Sequence, residues 1–141
     1  MSYGFLSLVL HAHLPFVRHP EHDRFLEEDW LYEAISETYL PLLRVFNRLK
    51  ADQVPFRLTL SMSPTLSAML TDELLQERYV AYCLRMIDLS VNEIKRTSGD
   101  KDFAPLAEMY HDLLEQNLDD FENLHKRNLA KAFRAFEKDG H

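Results

Sequence analysis

Two short apolar runs and several longer helical stripes alternate along this chain. The first run, Phe5 to His13, is nearly all apolar as far as Leu10, carries two histidines near its end and is stopped by Pro15. Such continuity predicts a parallel strand covered on both faces. The second run, Pro55 to Met62, alternates instead. Leu58, Leu60 and Met62 fall on one face, and Arg57, Thr59 and Ser61 on the other. Between the runs, Arg18 to Asp29 is polar and reads as a surface loop. From Leu31 onward, Leu31, Ile35, Leu42, Phe46 and Leu49 keep helical spacing. Pro41 lies inside that stripe, which predicts a break near Tyr39–Leu40 and a second helix with Pro41 in its first turn.

Local signals punctuate the second half. Ser63-Pro64 supplies an N-cap followed by proline at the first helical position, opening a short helix to about Leu70. Thr71-Asp72 caps a longer helix that runs to about Thr97, where Ser98-Gly99-Asp100 stops it. Phe103 to Phe136 is helical again, and a stripe of that length predicts a break around Asn117–Asp119. The aromatic positions Tyr79, Tyr82, Phe121, Phe133 and Phe136 read as core. Gly140 is placed to cap the last helix.

The result is a βαβ unit followed by helices and no third strand. A lone parallel pair leaves both edges unpaired and one face hard to cover, so in isolation it is marginal. The fold class is therefore α/β, with residues 1–141 expected to form the first part of a larger domain whose other strands cover the free edges.

Charge narrows the partners. The formal net charge is -7 and basic residues form no cluster, which argues against nucleic acid or an anionic membrane as partner. No apolar run approaches the roughly 18 residues of a membrane helix, and Met1-Ser2-Tyr3-Gly4 lacks the flank of a signal peptide. The single cysteine, Cys83, excludes an internal disulfide and reads as a small core residue. The expectation is a soluble, cytoplasmic protein.

Candidate chemistry centres on His11-Ala12-His13. Alternate strand residues share a face, so both imidazoles stand side by side at the carboxyl end of a parallel strand, where α/β proteins gather binding groups. Three readings stay open: satisfied core histidines, half of a metal site, or a wall that binds a polar ligand such as a sugar, since neutral imidazole both donates and accepts. His19 and His22 read as solvated loop residues. Trp30, the only tryptophan, follows Glu27-Glu28-Asp29 at a loop-to-helix junction. It is placed to stack on a sugar ring or to serve as a partly buried packing residue. The acidic run reads as a charge complement to the helix N-terminus. No nucleophile triad, P-loop or Gly-rich dinucleotide turn is present, and three glycines leave no room for the last two.

The run Gly4-Phe5-Leu6-Ser7-Leu8-Val9-Leu10-His11-Ala12-His13-Leu14-Pro15-Phe16-Val17-Arg18 closely resembles the N-terminus of glycoside hydrolase family 57, in particular its 1,4-α-glucan branching enzymes. So do Trp30-Leu31-Tyr32-Glu33-Ala34-Ile35 and Glu37-Thr38-Tyr39-Leu40-Pro41-Leu42-Leu43. Arg57 to Leu66 resembles that family's second strand. The resemblance implies an incomplete seven-stranded (β/α) barrel and retaining chemistry on α-1,4-glucans of the glycogen or starch type, with transfer to a 6-hydroxyl. Retention requires two carboxyl groups roughly 5–5.5 Å apart. The family's Glu nucleophile and Asp acid/base lie on later strands, beyond the position of His141, so this chain alone is expected to be inactive. By the same resemblance His11 matches the histidine that contacts the sugar at the cleavage subsite, His13 a supporting histidine, and Trp30 an aromatic lining the glucan groove. Neither a metal nor another cofactor is implied. Two rival readings are a metal-dependent barrel hydrolase or deacetylase with a strand-1 His-x-His, and a non-catalytic helical adaptor.

Overall fold

Strand β1 (Val9–Ala12) lies parallel to β2 (Thr59–Met62), with Val9 opposite Thr59 and Ala12 opposite Met62, in a computed structural model that describes residue 4 and residues 6–140. The expected start of the first strand, Phe5, lies outside the described residues. Both strands are shorter than the apolar runs that announce them. Pairing needs a neighbour, and the ladder extends only from Thr59 N–H donating to Leu8 O (3.0 Å) to Ser63 N–H donating to Ala12 O (3.0 Å).

The expectation that the first strand is covered on both faces is corrected. Ala12, Leu60 and Met62 turn inward to the core and Leu10 on the same face is half-buried, while Val9, His11, Thr59 and Ser61 face solvent, Val9 being 69% exposed. Helices cover one face only. Apolar Val9 on the open side, with Leu8 half exposed just before the strand, marks a surface built to be covered rather than solvated.

The helices are α1 (Glu28–Ala34), α2 (Leu40–Ala51), α3 (Pro64–Leu70), α4 (Glu73–Thr97), α5 (Ala104–Asp119) and α6 (Leu129–Lys138). The sequence caps act as expected: Ser63 Oγ accepts from Leu66 N–H (3.3 Å) and Asp72 Oδ1 from Leu75 N–H (3.0 Å). Gly140 takes the positive φ, 86°, that closes α6.

Two expected breaks are corrected. Pro41 does lie in the first turn of α2, as expected, but the chain does not leave the helix before it. One π-helical turn, Ile35–Tyr39, joins α1 to α2 and lets the proline enter without a clash. Near Asn117–Asp119 the chain again passes into a π-helical turn, Asp120–Leu124. The true break falls later, at Lys126 and Arg127, which hold φ of 50° and 62° before Asn128 caps α6.

The core gathers Leu31, Leu40, Leu43, Leu66, Tyr79 and Phe121, all at most 1% exposed. Phe121 meets Tyr79 edge-on at 4.6 Å between ring centroids. Cys83 is fully buried beside them, and burial pushes its thiol up to about 11. Burial also raises the phenols of Tyr32 and Tyr79 well above the ordinary tyrosine range.

These groups ionise in the unfolded chain near their ordinary values, about 8.5 for the thiol and about 10 for the phenols. Above those values the unfolded state binds fewer protons, so stability present below about pH 8.5 is lost as pH rises. Urea midpoints are expected to be flat from pH 7 to 8 and to fall from pH 9 to 10.5. A midpoint that holds across that range would contradict the burial. In the same preparation Cys83 should resist a thiol reagent at pH 8 until the chain is unfolded.

Candidate functional site

His11 and His13 stand on the open face at the carboxyl end of β1, as their spacing predicts. Their rings stack nearly parallel, 12° apart in plane and 5.8 Å between centroids. The register sets Ser61 opposite His11, and Ser61 Oγ lies 2.6 Å from His11 Nδ1. The segment after β1 is fastened to α3. Thr65 Oγ1 donates to Leu14 O (3.2 Å), and Val17 N–H points at Met69 Sδ (3.3 Å) with Val17 buried. Two exposed imidazoles therefore rise from a short, anchored base, free to bond a ligand approaching the open face.

Beyond Val17 the loop is held by ion pairs rather than left to solvent. Arg18 Nε bonds Asp72 Oδ2 (2.7 Å), the same carboxylate that caps α4. Glu28 is 1% exposed, and its Oε1 accepts from Arg78 Nη1 (2.5 Å) and His19 N–H (3.0 Å) while Oε2 accepts from Tyr32 O–H (3.0 Å). Arg78 also donates to the carbonyls of His19 and His22. Glu28 and Asp29 do occupy the first turn of α1, as a helix-dipole complement should, but Glu28 is also the buried counter-ion of α4.

His19 corrects the reading of both loop histidines as solvated. Its ring stacks on Phe25 at 3.8 Å and its side chain is only 19% exposed, whereas His22 stays exposed, its ring centroid 5.1 Å from that of Phe25. Trp30 lies in the first turn of α1 and is half exposed, so it is not a core residue. The structure brings His11 and His13 together. Among the described residues no hydrogen bond or ring contact joins Trp30 to either. Also among the described residues, no three metal-ligating side chains are gathered.

Sequence reasoning missed Ser61, Glu28 and Arg78. Ser61 had a readable signal, since it ends the polar face of the second strand just where that strand comes level with His11. Glu28 and Arg78 had none, because their partnership spans fifty residues. An apolar cleft of about 490 Å³ also borders β2, walled by Phe56, Leu58, Leu60, Met62, Phe133 and Phe136.

Known proteins resemble this chain in sequence and overall fold. The chain is 37% identical over 99 residues to the 1,4-alpha-glucan branching enzyme of Thermococcus kodakarensis, a span of 70% of this chain and 14% of that protein. It is 46% identical over 71 residues to a probable 1,4-alpha-glucan branching enzyme of Mycobacterium tuberculosis, covering 49% of this chain and 13% of that one. The crystal structure of the alpha-amylase AmyC from Thermotoga maritima superimposes with a TM-score of 0.89 at 39% identity, over 95% of this chain and 25% of that one. That of the GH57 branching enzyme from Thermococcus kodakaraensis, in complex with glucose, gives 0.86 at 31% identity, over 97% and 24%.

The chain thus spans between 13% and 25% of the length of these relatives. Its two strands and helices correspond to an N-terminal portion of the (β/α)7 barrel that the solved structures adopt. No helix among the described residues is long and apolar enough to cross a membrane. The profile of Glycosyl hydrolase family 57 matches residues 7–138, and with that span in register the chain belongs to this family.

Proposed function

We propose that residues 1–141 form the histidine-bearing wall of an α-1,4-glucan site in a branching enzyme, as the N-terminal part of its catalytic barrel. The observation that carries the reading is the stacked His11–His13 pair on the uncovered face of β1 and β2. In this reading His11 meets a sugar hydroxyl, His13 braces it, and Trp30 lines the path of the glucan farther out. The catalytic carboxylates come from strands beyond His141. Those strands also cover the free sheet edges and the cleft beside β2.

Family membership supports the substrate class, and the branching-enzyme relatives support the reaction type. An α-amylase shares the same architecture at 39% identity. The choice between hydrolysis and transfer is therefore assigned to parts of the barrel outside this wall.

The purified chain is expected to leave the iodine absorbance of amylose unchanged and to release no reducing sugar. It should still bind a maltooligosaccharide weakly, in the millimolar range of a single exposed subsite, and lose that binding with His11→Ala. Turnover by the pure chain, or glucan binding indifferent to His11→Ala, would sink the reading.

A further inference from the structure

We propose that Ser61 is a positioning residue that fixes which nitrogen of His11 carries the proton, and so makes His11 present a hydrogen-bond acceptor to its ligand. The inference rests on the sugar-wall reading for the ligand's identity, though not for the role of Ser61.

The parallel register sets Ser61 directly opposite His11, and both side chains project from the open face. Ser61 Oγ makes two contacts, one to His11 Nδ1 at 2.6 Å and a longer one to Leu10 O at 3.5 Å. A hydroxyl has one proton to give. Leu10 O can only accept, so both contacts are satisfied in one arrangement alone: Ser61 O–H donates to Leu10 O and Oγ accepts from Nδ1–H. That leaves Nε2 of the neutral ring with a free lone pair. The His13 ring lies nearly parallel to that of His11, 5.8 Å away between centroids.

A lone pair at Nε2 selects ligands that bring a donor. A sugar hydroxyl qualifies because it can donate here and still accept elsewhere, whereas a carboxylate or a phosphate dianion would meet lone pair against lone pair. Ser61 thus adds a chemical preference that the two histidines alone do not set.

The test is a long-range ¹H–¹⁵N correlation spectrum of the chain labelled at histidine, with the His11 signal assigned by its loss in His11→Ala. The wild type is expected to show Nδ1–H with unprotonated Nε2. Ser61→Ala should turn His11 to the Nε2–H form that an unrestrained neutral imidazole favours in water. Ser61→Thr, which keeps the hydroxyl on an exposed strand position, should restore the wild-type pattern. Nε2–H in the wild type, or an unchanged spectrum in Ser61→Ala, overturns the proposal.

Titration with maltoheptaose separates the two readings. Loss of one oriented hydrogen bond should weaken binding in Ser61→Ala roughly 5–10-fold, with recovery in Ser61→Thr. If Ser61→Ala switches the tautomer but maltoheptaose moves no His11 signal in any variant, the role of Ser61 stands and the sugar-wall reading is the one that fails.

Discussion

Glu28→Ala is expected to lower the unfolding free energy by about 3–5 kcal/mol, the range found when one member of a buried ion pair is removed. The size follows from what is left behind. Arg78, only 16% exposed, would keep its charge without the carboxylate it faces, and the Tyr32 hydroxyl and the His19 amide would each lose an acceptor. With stabilities of ordinary domains near 5–15 kcal/mol, that loss is a large share of the total. At a typical urea slope the midpoint should drop by about 2 M.

Glu28→Gln keeps the shape and one acceptor oxygen, so it should fall between wild type and alanine. Replacing both partners, in Glu28→Ala with Arg78→Ala, should cost less than the sum of the single changes. Limited trypsin digestion provides a local readout, since Arg18 and Arg24 lie in the loop that Arg78 ties down through the carbonyls of His19 and His22. A Glu28→Ala protein within 1 kcal/mol of wild type, with that loop still protected, would show that the pair does not hold the fold.

What could be read in advance divides by the distance over which the cause acts. Ser63, Asp72 and Gly140 work within three or four residues, so their caps were legible and stand where expected. The shared face of His11 and His13 follows from the strand period and needed no partner. Strand lengths were overestimated because apolarity reports what a strand will bury, while the ladder stops where its neighbour does. The turn at Lys126 and Arg127 was invisible: both take left-handed φ without glycine or proline to announce it. Glu28 looked like any acidic residue in a first helical turn. Only the approach of α4 makes it a buried counter-ion.

Pro41 is the instructive intermediate case, because the sequence marks the problem and the fold supplies a distant solution. In the π-helical turn Leu40 N–H donates to Ile35 O, five residues back. The next donor in that register would serve Ser36 O, but position 41 is proline and has no N–H. Ser36 is 5% exposed, so water is a poor substitute. Asn117 Nδ2, on α5, donates to Ser36 O instead (3.2 Å), while its Oδ1 accepts from Arg44 Nη2 (2.6 Å). Arg44 Nε in turn bonds Asp120 Oδ2 (2.5 Å), where the second π-helical turn begins.

Asn117→Leu should therefore cost about 3 kcal/mol, from an unsatisfied buried carbonyl and a guanidinium short of one acceptor. Pro41→Ala alone should change stability by less than about 1 kcal/mol, since it exchanges a first-turn proline for a good helix former. Combined, the two should be non-additive. With alanine at 41 a backbone N–H reaches Ser36 O in either register, from residue 41 in the π turn or from Leu40 in an ordinary helix. The double variant should recover at least about 1 kcal/mol of the Asn117→Leu loss, the net value of one hydrogen bond. Urea unfolding of the four proteins completes the cycle. Additive costs would mean that Asn117 does not stand in for the donor that Pro41 lacks.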